Sequence, residues 1–147
     1  MAFTDWVTVA LILGGIVLES RRGSLTAWVD VIGVIVAYKA ASYLYPQMFT
    51  NALPAQSSFA VLFGMVMVPV IFLSMNVSHA MEKYMVSIDF FLGGLGGAMS
   101  GMVLSAVMFE YIVLGHGYSA PEFAQSIFRP IVFDLTWYQQ LEHRMTR

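Results

Sequence analysis

The chain contains no cysteine, which excludes disulfides, thiolate metal sites and cysteine nucleophiles and leaves the redox compartment open. Charge is scarce. Asp, Glu, Lys and Arg make up 11% of the 147 residues, less than half of the roughly 25% usual in soluble domains. That is too little polar surface to wrap a water-soluble fold, so much apolar surface must meet lipid. A net charge of −2, with seven basic residues in no stripe or patch, excludes the electrostatic footprint of a nucleic-acid binder. No Lys or Arg precedes the apolar run in the first twenty residues. A secretory signal with a basic start is therefore not expected, nor is an Arg- and Ser-rich transit peptide. Met1 is read as the start of the mature chain and that run as a retained helix.

Catalytic signatures are missing as well. No Ser-His-Asp spacing or nucleophile elbow is present. The stretch DFFLGGLGGAMSG, residues 89–101, lacks the Lys-Ser/Thr ending of a phosphate-binding loop, and its flanks are apolar. His79 and His116 fall in separate polar connectors on opposite sides of the expected topology, and His143 is alone in the tail, so a shared metal ion is not expected. The 11 methionines read as adaptable packing and not as a ligand set. The expectation is a protein with no catalytic residues, no metal, no cofactor and no enzymatic activity.

What the chain does have is apolar length. Hydrophobic residues make up 59%, against about 45–50% in soluble proteins. A spanning helix needs about 20 mostly apolar residues, and four runs approach or exceed this: 4–18, 25–45, 57–77 and a long one within 88–114. Thr4 and Asp5 suit the start of the first, Pro46 ends the second, and Pro69 is expected to kink the third. The fourth is long for one perpendicular pass, so it either tilts or lays residues 90–95 in the interface, with a break or bend near Gly93-Gly94. Residues 76–87 read as a polar connector or interfacial helix. Trp6, Trp28 and Trp137 lie near expected span ends, as interfacial anchors would. The expected fold class is an all-α integral membrane protein: four transmembrane helices over residues 1–116 and a C-terminal amphipathic, interfacial segment over 117–147. In that tail Phe123, Ile127, Ile131, Leu135, Tyr138 and Leu141 recur at helical spacing, interrupted by Pro130. Arg21 and Arg22 after the first span and Lys83 after the third favour a cytoplasmic location for those two loops, with both termini outside. Arg129, Arg144 and Arg147 in the tail weigh against that orientation.

Gly93, Gly97, Gly101 and Ser105 stand at four-residue steps and form one ridge of minimal side chains on a helix. In lipid, helices associate by close packing, and such small-xxx-small ridges let backbones meet. The ridge serves either packing among the four spans or a homo-oligomer contact. Gly14 and Gly15 offer a second, smaller contact in the first helix.

Ionisable residues at membrane depth are functional candidates by default. Four qualify: Asp5, Asp30, Lys39 and Glu110. In an antiparallel hairpin of the first two helices, Lys39 comes level with Asp5, close enough for an ion pair; the alternative is that Lys39 snorkels to headgroups. Asp30 has no basic residue at its own depth, and Arg21 or Arg22 could reach down to it. A protonated, proton-carrying Asp30 and an Asp30 solvated at the interface are further readings. Glu110 is expected to reach the interface.

The order Asp89, Leu92, Gly93, Gly97, Gly101 resembles the colicin V production (CvpA) family of bacterial inner-membrane proteins. The family's Arg-Gly pair after the first helix is matched by Arg22-Gly23, and the Asp5-Trp6 start and Gly33 also fit. The resemblance covers roughly residues 5–115. Phe90 and Ser100 depart from it where family members carry basic residues. It implies a multi-pass inner-membrane protein linked to colicin V production and toxin biosynthesis, acting as a scaffold or accessory subunit. Its partners would be membrane lipid, another copy of itself or another integral membrane protein, and not nucleic acid. The alternative is a subunit of a proton or ion pathway using the intramembrane carboxylates.

Overall fold

A computed structural model describes residues 2–48, 53–81 and 87–134, and the described residues are helical with no strand. Four long helices dominate: α1 (Phe3–Arg22), α2 (Ser24–Met48), α3 (Ala55–Met81) and α4 (Ser87–His116). All four are long and apolar enough to cross a membrane. Two single turns follow, α5 (Pro121–Ala124) and α6 (Arg129–Val132). Lys83, Leu135, Trp137, Tyr138, Gln139, Gln140, Leu141, His143, Arg144 and Arg147 lie outside the described residues, so the roles expected of them are not addressed by the structure.

Three local expectations are corrected. α4 runs unbroken through Gly93-Gly94, because the glycines lie against another helix that supplies the contacts missing from their own side chains. α2 continues past Pro46 to Met48. α3 extends to Met81, so the first half of the polar stretch 76–87 belongs to its last turns.

Helix order in space is α1–α4–α2–α3: α4 packs along both α1 and α2, α3 packs on α2, and α1 barely touches α2. The α1–α4 seam is antiparallel. Gly93 lies at the carbonyl of Glu19, Gly97 at Gly15, and Gly101 at Leu11 and Ile12. A Cβ on Gly101 would stand 2.6 Å from the Ile12 Cα, and one on Gly93 2.5 Å from the Glu19 oxygen. Only bare backbone permits that approach. Ser105, fully buried, continues the ridge and donates its hydroxyl to the Gly101 carbonyl at 2.8 Å. On the other side of α4, Gly96 meets Ala27 of α2, and Ala27, Val34, Ala37 and Ala41 are buried along α2. The glycine ridge is thus used inside the chain, and α1 occupies the surface that a homo-oligomer contact through it would need.

The segment after α4 folds back on the bundle. Phe123 and Val132 join Ala106 and Phe109 of α4 in one buried cluster, with Phe123 edge-on to Phe109 at 5.8 Å between centroids. Ile127 and Ile131 are exposed. The expected single stripe therefore splits over residues 117–134, because Pro130 and the turn at 125–128 prevent one continuous helix.

Candidate functional site

The site begins with a turn. Gly23 has φ 94°, a conformation that side chains disfavour, and it closes α1 by donating its N–H to the Glu19 carbonyl at 3.1 Å. α2 starts at the next residue. This abrupt reversal leaves Arg22 at the end of α1 beside the first turns of α2, with its guanidinium turned into the bundle.

Arg22 then joins three helices. Nη1 donates to Glu19 Oε1 at 2.9 Å and to Asp30 Oδ2 at 2.7 Å, while Nη2 donates to Ser74 Oγ of α3 at 2.6 Å. The Glu19 side chain is 8% exposed, that of Asp30 17% and that of Arg22 30%. A planar guanidinium suits this task, since its fork of donors engages several acceptors at fixed angles. Nearby, Ser24 donates to Asp89 Oδ1 at 2.5 Å, tying the start of α2 to the start of α4. Arg22, Gly23, Asp89 and Gly93, with half-buried Leu92, therefore gather at one end of the bundle.

The cluster closes one end of a crevice of about 280 Å³. α1 and α3 form its walls and α2 and α4 its floor. Its apolar lining includes Leu11, Val34, Met67, Ile71 and Leu104. Two buried polar atoms belonging to its lining residues have no hydrogen-bond partner among the described residues, Glu19 Oε2 and Ser100 Oγ.

Of the four intramembrane ionisable candidates, the structure brings only Asp30 into this cluster. Asp5 lies at the opposite end of α1 and is fully buried. It accepts the Ala2 N–H at 2.8 Å, which serves the helix start, and it accepts the Ser126 hydroxyl at 2.6 Å and the Ile127 N–H at 3.0 Å. Thr4 adds a hydrogen bond to the Glu122 carbonyl at 2.6 Å. Asp5 is thus a clasp for the segment after α4. The expected Asp5–Lys39 pair does not form, because α1 packs on α4 and not in a hairpin with α2. Exposed Lys39 has its ammonium 6.0 Å from the Tyr38 ring centroid, and Glu110 is half-buried on α4.

Sequence reasoning missed Glu19 and Ser74. Glu19 stood at the polar end of the first apolar run, in a stretch read as loop. Its spacing from Arg22, three residues on one helix, was the available signal. Ser74 carried no signal, since a serine in an apolar run is common. Among the described residues no three His, Asp or Glu side chains are grouped to hold a metal ion. No family model, curated protein or solved structure matches the chain.

Proposed function

We propose that this chain is a non-enzymatic scaffold or accessory subunit of a membrane assembly, of the colicin V production type, resident in the bacterial inner membrane. One observation supports it most. α3 is joined to the bundle mainly through α2, and Met65, Val68, Phe72, Leu73 and Met75 on it are exposed. An apolar helix attached along one side presents the rest of its surface to lipid or to a neighbouring membrane protein. Photo-crosslinking residues placed at Met65 and Phe72 in native membranes test this. Protein adducts from these positions, and none from buried Phe59 on the same helix, are expected. A strictly monomeric particle in mild detergent, with no adduct from α3, overturns the reading.

A second reading, a proton or ion pathway subunit, is motivated by the charged cluster at the crevice and by Lys39 and Glu110. Ionisable groups at membrane depth mark such paths in other proteins. Reconstituted vesicles that show no flux under a proton gradient overturn it.

A further inference from the structure

Two carboxylates share a single guanidinium nitrogen in the Arg22 cluster, at 2.9 and 2.7 Å. Because Glu19 Oε1 and Asp30 Oδ2 both accept from Nη1, the two carboxyls are gathered around one guanidinium nitrogen. Two ionised carboxylates cannot hydrogen-bond to each other, since both only accept. Glu19 Oε2 is sealed from solvent and finds no donor among the described residues, and a buried acceptor in that state is costly. Its side chain is more than nine-tenths buried, and no water-sized molecule reaches that oxygen. A proton is the one ligand small enough to satisfy it, and it supplies the missing donor between the two carboxyls.

We infer that Glu19 and Asp30 together bind one proton, shared between them and held by Arg22, so that the cluster is electrically neutral beside the apolar crevice. With both carboxylates ionised, the cluster would carry a net negative charge at membrane depth, which is expensive. Closely spaced acidic pairs elsewhere hold one proton for the same reason: like charges in contact do not both ionise. Among the described residues, the surrounding charges do not change this count. Arg21 on α1 is exposed, His79 on α3 is exposed, Asp89 on α4 is engaged by Ser24, and Ser74 contributes a hydroxyl. This proton site shares its place with the ion-pathway reading and does not require it: flux measurements test that reading, and vibrational spectroscopy tests the proton.

The experiment is infrared spectroscopy of the full chain in lipid nanodiscs at pH 7, read at the C=O stretch of a protonated carboxylic acid. The expected spectrum shows one such band that is lost in Glu19→Gln and equally lost in Asp30→Asn. Either change leaves one carboxylate opposite Arg22, which then has no reason to stay protonated. Glu110→Gln leaves the band in place. Carbon-13 labelling of Glu and of Asp shifts the band without any substitution, which keeps the test available if one variant does not fold. No protonated band at pH 7 overturns the inference. So does a band that survives both substitutions, or one that only a single substitution removes, since that proton would belong to one residue and not to the pair.

Discussion

Gly14 and Gly15 are adjacent in sequence and should respond to alanine in opposite directions. A Cβ on Gly14 meets nothing within 4 Å, whereas one on Gly15 runs into the carbonyl of Gly97. At Gly14 the substitution simply improves helix propensity, worth up to about 1 kcal/mol. At Gly15 the obstacle is backbone, which cannot swing aside as a side chain does. Ordinary contact begins at 3.4 Å, so α1 and α4 must part by roughly an ångström. A gap of that size forfeits a quarter to a half of each pair's attraction, about 0.1–0.2 kcal/mol per pair, so on the order of thirty pairs along the seam lose about 1–3 kcal/mol. That agrees with the usual cost of overpacking, about 1–3 kcal/mol. The propensity gain applies at both positions and cancels, so the two variants should differ by the packing loss alone, about 1–3 kcal/mol. The assay is reversible unfolding in mixed micelles with increasing denaturing detergent, followed by tryptophan fluorescence. Equal responses of Gly14→Ala and Gly15→Ala would refute the assignment of the α4 glycines to α1. So would a loss in Gly15→Ala that appears only in particle size, since the seam would then lie between copies.

Arg22→Ala should destabilise by about 3–5 kcal/mol, because it leaves buried carboxylates without their cation, and Arg22→Lys should recover little, since an ammonium lacks the fork that reaches Glu19, Asp30 and Ser74 together; the same detergent titration checks both, and a neutral Arg22→Ala would refute the tie. Asp5→Ala should cost about 1–3 kcal/mol by leaving the Ser126 hydroxyl and the Ile127 N–H unpaired, and should raise hydrogen exchange at the Ile127 amide. Combined with Lys39→Ala, its effect should add within about 0.5 kcal/mol, whereas strong coupling would restore the discarded ion pair. Phe123→Ala should cost about 3–5 kcal/mol and free residues 117–134 to proteolysis, while Ile127→Ala, at an exposed position, should stay near neutral.

The existence of four long apolar helices was legible because hydropathy is a property of each run taken alone. The start of α1 was legible too, since Asp5 at its third position is a local signal. The spatial order was not. Lateral association in lipid has no hydrophobic drive, so the apolar runs do not reveal which neighbours they choose. The glycine ridge showed that α4 must meet something closely and did not show what. Its answer lay in Gly15, whose bareness matters only once Gly97 is placed opposite. Assuming a simple hairpin of α1 and α2 gave Asp5 a partner on the wrong helix, and the partner it has, Ser126, lies 121 residues away.

The same geometry accounts for the position of the charged cluster. Because α4 is inserted between α1 and α2, these two consecutive helices meet closely only at their turn. Apolar packing cannot hold α1 beside α2 and α3 across that gap, and Arg22 spans it with polar bonds to Asp30 and Ser74. Gly23 makes the span possible, since a residue that needed negative φ there would turn the chain differently and carry Arg22 away from the crevice. At the far end, Asp5 closes α1 onto the segment that follows α4. Each end of α1 is thus fixed by polar bonds and its middle by bare backbone, and each device works only because the other sets the register. A one-turn slip of α1 along α4 would put Leu11 or Leu18 where Gly15 now meets Gly97 and would carry Arg22 away from Asp30. The seam and the proton-sharing pair therefore test a single placement of α1 by independent means.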